Sequence, residues 1–177
     1  AASAGVGLFA ELGQTANITD LLVKDADITG NNGVGIIAGI SAGVMLRVGA
    51  LGTVQANSSA GGLVGVLDFE ETQTETPGIE QSFAHVEVTS TNSTAGGLVG
   101  AVAASNSATI LDSYATGAVT GNDQVGGLVG LLDNSSVTRS YATGLVTATA
   151  DSPTEVGGLA GGVFDLNQAM VKGSLYD

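Results

Sequence analysis

The sequence contains no cysteine and no tryptophan, and it has very little positive charge. Its 177 residues include one histidine and four basic residues against 17 acidic ones, so the formal net charge is −13. The absence of cysteine excludes disulfides and thiolate metal sites, and a single histidine excludes a paired-histidine zinc site. The scarcity of Lys and Arg leaves no basic surface for nucleic acid, and the negative charge repels an anionic membrane surface.

Long hydrophobic runs are also missing. No apolar stretch reaches the roughly 18 residues of a membrane-spanning helix, because glycine interrupts the longest ones. The chain is nevertheless too apolar to be disordered, with a mean hydropathy of +0.36 and 44% apolar residues. Glycine occurs 28 times, and the accompanying Val, Thr, Ser and Asn favour strands and tight turns. We interpret Ala1 as the mature end left by a removed signal peptide or as an expression boundary.

The dominant pattern is a repeat whose core is Gly-Gly-Leu-Val-Gly. This core occurs at 61–65, 96–100 and 126–130, with Gly-Gly-Leu-Ala-Gly at 157–161 and looser copies near the start of the chain. We place the repeat starts near residues 6, 34, 61, 96, 126 and 157, with residues 1–5 as an N-terminal arm. We take the second glycine of each Gly-Gly pair as a marker, with Gly7 and Gly35 as its counterparts in the two looser copies. Successive markers are spaced by 28, 27, 35, 30 and 31 residues, which is typical of a solenoid.

A second block, Ser-Tyr-Ala-Thr-Gly-x-Val-Thr, stands at 113–120 and 140–147, with a looser copy at 82–89. Together the two blocks resemble the GLUG repeat family, whose arrays occur in bacterial surface proteins, adhesins and the non-catalytic parts of some immunoglobulin-cleaving peptidases. The resemblance extends over nearly all of the chain. It implies a non-catalytic protein that is secreted or displayed at a bacterial cell surface.

We predict an all-β fold: a β-solenoid, specifically a right-handed parallel β-helix of about six coils, as one domain over residues 1–177. A unit of this length cannot bury its own apolar face, but stacked units can, and equivalent residues then form columns about 4.8 Å apart. We expect an aromatic column of Phe83, Tyr114 and Tyr141, continued by Val23 and Leu175. The other predicted structural positions are Gly62, Gly65, Gly97, Gly100, Gly127, Gly130, Gly158, Gly161, Leu63, Leu98, Leu128 and Leu159.

Residues that could carry catalysis are few. The only histidine, His85, lies inside a repeat block, and no Gly-x-Ser-x-Gly elbow accompanies it, so we expect an ordinary surface or groove residue and no enzyme. The acidic insertion 68–80 offers paired carboxylates, as glycoside chemistry requires. Its acidic residues are Asp68, Glu70, Glu71, Glu75 and Glu80. A carbohydrate-binding or carbohydrate-cleaving β-helix that uses this insertion is therefore the alternative function.

The sequence predicts no cofactor. Calcium is the one metal that the composition permits, because it takes hard oxygen ligands. The weak candidates for such ligands are Asp25, Asp27, Asp68 and Asp133.

The two ends of a solenoid are open sheet edges, which pair with another chain unless they are covered. We therefore predict a structural or adhesive protein that self-associates, in the extreme case head to tail into a filament. The candidate assembly residues are Ala1, Ala2, Ser3, Ala4, Gly5, Tyr176 and Asp177. Other surface proteins or glycans are alternative partners, and a passive spacer in a larger surface protein is an alternative role.

Overall fold

A computed structural model describes residues 5–69, 78–104, 108–150, 155–164 and 170–177. Over these ranges the chain forms 24 strands and no helix, which confirms the all-β prediction. All strand pairs are parallel and belong to four sheets. The chain contributes strands to these sheets in the same order again and again, and one such round forms one coil. Two of the sheets are six strands deep, and the predicted β-solenoid is thereby confirmed. None of the described segments forms a helix long and apolar enough to cross a membrane.

We number the sheets 1 to 4 in the order in which a coil enters them. Sheet 1 contains Ala60–Gly61, Ala95–Gly96, Val125–Gly126 and Val156–Gly157. Sheet 2 contains Phe9–Leu12, Ala38–Ser41, Val64–Phe69, Val99–Ala104, Val129–Asp133 and Ala160–Phe164. Sheet 3 contains Asn17–Thr19, Val44–Leu46, Gly78–Glu80, Thr109–Leu111, Ser136–Thr138 and Met170–Lys172. Sheet 4 contains Leu22–Gly30, Gly49–Ala56, Phe83–Ser90, Tyr114–Ala115, Val119–Gly121, Tyr141–Ala142, Val146–Ala148 and Leu175–Tyr176.

The core runs along the solenoid axis and is filled by side chains from every sheet. In the strand Phe83–Ser90, for example, buried and accessible residues alternate. This pattern is expected for a strand that has one face toward the core and one toward solvent. Leu63, Leu98 and Leu128 are fully buried. The backbone N–H of Leu63 donates to the carbonyl of Leu98 at 2.9 Å, and the N–H of Leu98 to the carbonyl of Leu128 at 2.8 Å. Each coil therefore shelters the apolar side chains of the coil before it.

The recurring Gly-Gly pair lies at the corner between sheets 1 and 2, where consecutive coils come into backbone contact. A Cβ atom at Gly97 would overlap the carbonyl oxygen of Gly127 and would lie 2.8 Å from the Cβ of Ala115. Gly62 meets the carbonyl of Gly97 in the same way. Only glycine leaves room for these contacts, so the motif records a packing requirement of the corner.

The predicted place of Val23 in the aromatic column is wrong. The structure pairs Leu22 with Gly49, which in turn pairs with Phe83, and Val23 lies one column further along, beside Ala50. The cause is a β-bulge between Val23 and Ala26. A bulge adds an extra residue to one strand. An alignment that matches the ends of the strands and counts backward residue by residue therefore assigns Val23 to the wrong column.

The predicted alignment of the second coil is also shifted by one residue. An isolated bridge pairs Val34 with Ala60, so Gly35 aligns with Gly61 and not with Gly62. Ile36, which is buried, takes the position of Gly62. The second coil therefore spans one residue fewer than the spacing of the marker glycines implies.

Candidate functional surfaces

Three aromatic rings stack on the outer side of sheet 4. The rings of Phe83 and Tyr114 have centroids 5.4 Å apart and planes inclined by 11°, and those of Tyr114 and Tyr141 lie 4.9 Å apart and within 3° of parallel. Both faces of the Tyr114 ring are therefore covered. Burial, and then the neighbouring Tyr141, raise the pKa of the Tyr114 hydroxyl. The column packs rings against one another and leaves no open face of Tyr114 for stacking on a ligand.

His85 lies beside this column and is exposed. Its ring meets Phe83 and Tyr114 edge to face, with centroids 5.2 and 5.7 Å away. Its Nδ1 contacts the hydroxyl of Thr116 on the next coil. The ring and hydrogen-bond partners of His85 among the described residues are thus two aromatic rings and a threonine hydroxyl, whereas a catalytic triad pairs histidine with a serine and a carboxylate.

The acidic insertion is described only at its ends. Asp68 lies in the sheet 2 strand that enters it and Glu80 in the sheet 3 strand that follows it, so the two carboxylates belong to different sheets. Glu70, Glu71 and Glu75 lie outside the described residues. The carbohydrate alternative involves the whole insertion 68–80 and stays a prediction.

The calcium candidates are spread over two sheets. Asp25 belongs to the bulge of sheet 4 and has a positive φ of 54°, and Asp27 accepts a hydrogen bond from Thr53 at 2.8 Å. On sheet 2, Asp68 pairs with Ala103 of the next coil, and Asp133 lies on the coil beyond. Considering only described residues, no three acidic or histidine side chains gather as a metal site. Calcium binding therefore stays a prediction.

A buried serine ladder follows the corner between sheets 3 and 4, and sequence reasoning missed it. The N–H of Ser82 donates to the hydroxyl oxygen of Ser113 at 3.1 Å. The same bond, at 3.2 Å, joins Ser113 to Ser140 and Ser140 to Ser174. The hydroxyl of Ser113 in turn donates to the carbonyl of Leu111 at 2.8 Å. The signal was visible, because Ser precedes the aromatic-column residue in four successive repeats.

In every coil, the residue that directly follows the sheet 3 strand has a left-handed backbone conformation and begins the corner to sheet 4. Positive φ values between 47° and 60° mark this position. Its occupants are Asp20, Arg47, Gln81, Asp112, Arg139 and Gly173.

Oppositely charged corner residues on neighbouring coils form two ion pairs. Arg47 Nε lies 2.5 Å from Asp20 Oδ1, and Arg139 Nε lies 2.7 Å from Asp112 Oδ1. In each pair a second guanidinium nitrogen binds the other carboxylate oxygen, at 2.8 and 2.7 Å. The arginine hydrogen bond holds the pKa of Asp20 and of Asp112 below its ordinary value. The corner therefore links the first coil to the second and the fourth to the fifth.

The sixth coil leaves apolar side chains uncovered. Val171 is 46% exposed, although Val137, which occupies the same column one coil earlier, is 1% exposed. The exposed apolar residues of the sixth coil are Val156, Val163, Phe164, Met170, Val171, Leu175 and Tyr176. At the opposite end, Leu8, Phe9 and Leu22 of the first coil are exposed as well. Both ends of the stack thus present apolar surface.

The predicted assembly residues differ in how accessible they are. Gly5 is buried, and it packs closely against Gly39 of the second coil. Tyr176 is exposed, but its hydroxyl donates to the carbonyl of Gly144 at 3.3 Å, and its ring packs against Gly158. Asp177 is exposed, and its N–H donates to the carbonyl of Ala142 at 3.1 Å. Ala1, Ala2, Ser3 and Ala4 lie outside the described residues.

Comparison with known families agrees with this architecture. Residues 121–149, which run from the end of the fourth coil through most of the fifth, match the family model described as "Glug: The GLUG motif". The chain carries a GLUG motif. The predicted resemblance to the GLUG repeat family is thereby confirmed for this segment.

A curated relative and a solved structure extend the comparison. Halomucin from Haloquadratum walsbyi is 38% identical over 71 residues, which is 40% of this chain and 1% of halomucin, so the chain spans a very small part of that relative. A crystal structure from Bacteroides ovatus, provisionally assigned as an immunoglobulin A1 protease, has 16% identity and a TM-score of 0.57, over 97% of this chain and 69% of the other. This second likeness supports the fold alone. The GLUG motif and the similarity to part of halomucin agree with the repeat architecture of this chain.

Proposed function

We propose that this chain is a non-catalytic structural segment of a secreted or cell-surface protein, and that the sixth coil of one such segment packs head to tail on the first coil of another. The observation that carries the proposal is the uncovered sixth coil. Val171 and Val163 occupy columns whose members Val137 and Leu132 are fully buried in the fifth coil. Core-type side chains that are accessible in this segment favour packing against a further coil, whether that coil belongs to the same protein or to a second copy.

The first coil of a second copy fits this end. Parallel stacking in the register of the solenoid would place its Ile18 on Val171 and its Leu22 on Leu175, because these residues share columns. The open strand edges would pair at the same time, since an unpaired parallel edge offers free N–H and C=O groups. A heterologous contact of this kind does not close, and repetition of it produces a filament.

Electron microscopy and sedimentation of the purified chain test the proposal. We expect wild-type chain to form an open-ended series of assemblies as concentration rises. Leu175→Asp, which places a charge at the sixth-coil end, should stop the series. Leu145→Asp is the matched control, because Leu145 is 71% exposed but lies in the fifth coil. A wild-type chain that stays monomeric at high concentration would contradict head-to-tail association and favour a passive spacer.

A further inference from the structure

One side of the solenoid differs in charge from the rest of the molecule. We define the sheet 3 flank as the outer face of sheet 3 together with the left-handed corner residues that follow it. The flank holds three carboxylates and three of the four basic residues of the chain, and so has no net charge: Asp20, Glu80, Asp112, Arg47, Arg139 and Lys172. The described charged residues elsewhere are Lys24 and nine acids: Glu11, Asp25, Asp27, Asp68, Glu87, Asp123, Asp133, Glu155 and Asp177.

The flank is also partly apolar. A shallow cavity of about 170 Å³ opens at Gly78, where the column between Val44 and Thr109 lacks a side chain. In the next outward column, Glu80 lies between Leu46 and Leu111. All of these residues are partly accessible. The surface therefore combines apolar contact area with charges that are already balanced.

We propose that the sheet 3 flank is the surface through which two copies of this chain pack side by side. Two molecules that each carry a charge of −13 repel one another wherever carboxylates dominate. Contact through the flank brings together surfaces without net charge, and it excludes water from Leu46, Leu111 and the cavity at Gly78. A two-fold axis satisfies such a contact, since the same patch then serves both copies.

The size of the flank sets the expected strength of this contact. Six strands at about 4.8 Å, each with three sheet residues and one corner residue at about 3.3 Å per residue, give an area of roughly 380 Å² per copy, or about 760 Å² in total. This area lies below the roughly 1,200 Å² at which stable specific interfaces start, and it is in the range of weak, transient contacts. We therefore expect a weak dimer that is populated only at high chain concentration and is strengthened by salt that screens the remaining repulsion.

Sedimentation equilibrium distinguishes this dimer from head-to-tail assembly. The side-by-side contact closes at twice the chain mass of 17.2 kDa, whereas end contacts give an open series of masses. The measurement is made in the Leu175→Asp variant, in which end contacts are blocked. The proposal predicts that this variant still dimerises, whether or not the wild-type chain forms filaments. A variant that stays monomeric at all concentrations, in low and high salt, would overturn it.

Leu111→Glu then tests the position of the interface. Glu80 occupies the same column, so the coil accommodates glutamate there, and we expect a rise in the dissociation constant of roughly tenfold or more. Leu111→Thr, which copies the residue type of Thr138 in that column, should weaken the dimer without any change of charge. Thr120→Glu adds the same charge on sheet 4 and should have a much smaller effect. Equal weakening by Thr120→Glu and Leu111→Glu would contradict an interface at the flank.

Discussion

At the scale of single residues, the glycines at the corner of sheets 1 and 2 allow the coils to stack. A Cβ atom at Gly97 would meet both the Gly127 carbonyl oxygen and the Ala115 methyl group. Gly97→Ala should therefore lower the free energy of unfolding by about 1–3 kcal/mol, the usual cost of forcing an extra methyl into a packed core. Urea denaturation measures this change. Gly13→Ala is the control, because no atom lies within 4 Å of a Cβ at Gly13, and equal losses in the two variants would refute the packing argument.

The buried serine ladder leads to a second prediction at this scale. Ser113→Ala removes the oxygen that accepts the N–H of Ser82, and it leaves that buried donor without this partner. The expected loss is about 1–3 kcal/mol of unfolding free energy. Ser174→Ala, at the accessible end of the ladder, should cost less, because water can replace the lost hydroxyl there. Denaturation curves of the two variants, compared with wild type, provide the measurement.

Residue-level prediction from the sequence depended on repetition. The spacing of Tyr114 and Tyr141 indicates one column, and the structure has these two rings stacked. The prediction for Val23 was wrong because the bulge in the first coil adds a residue that no repeat motif marks. The serines were visible in the pattern, but their hydrogen bonds follow from the corner geometry, which the pattern does not contain.

At the scale of elements, the corner between sheets 3 and 4 joins the coils through charge as well as through backbone bonds. Asp112 and Arg139 face each other across neighbouring coils, and so do Asp20 and Arg47. These pairs are exposed, so each contributes little at high salt. The sequence could not reveal this corner, because its occupants share a positive φ and no common side-chain chemistry.

Arg139→Gln tests the fourth-to-fifth-coil pair through its pH dependence. The pKa of Asp112 is lower in the folded protein than in the unfolded chain because Arg139 binds the carboxylate. The pair therefore stabilises the fold above the ordinary Asp value of about 3.9, and this stability is lost as pH falls through the lower folded pKa. We expect wild type to be more stable than Arg139→Gln at pH 7, with a gap that closes in acid. Urea titrations from neutral to strongly acidic pH measure it, and a gap that persists in acid would refute the assignment.

At the scale of the whole molecule, one apolar core runs through stacked coils that carry an excess of negative charge. The sequence alone predicted the stacking, because repeated units that cannot fold singly must cover one another. It did not predict where the charges balance. Lys172, Arg139 and Arg47 are far apart in sequence, and only the coil register brings them to the same flank.

The excess charge predicts that salt stabilises this protein. The chain has 17 acidic and four basic residues. The repulsion among the excess negative charges opposes the compact folded state. Raising the salt concentration from about 0.05 M to about 1 M shortens the screening length to roughly 3 Å and removes most of this repulsion. Each kcal/mol so relieved should raise Tm by about 2–4 °C for a chain of this size. Thermal melts at several NaCl concentrations measure the rise, and the double variant Asp27→Asn with Glu87→Gln should show a smaller one. A Tm that is flat or falls with salt would mean that self-repulsion does not limit the stability of the fold.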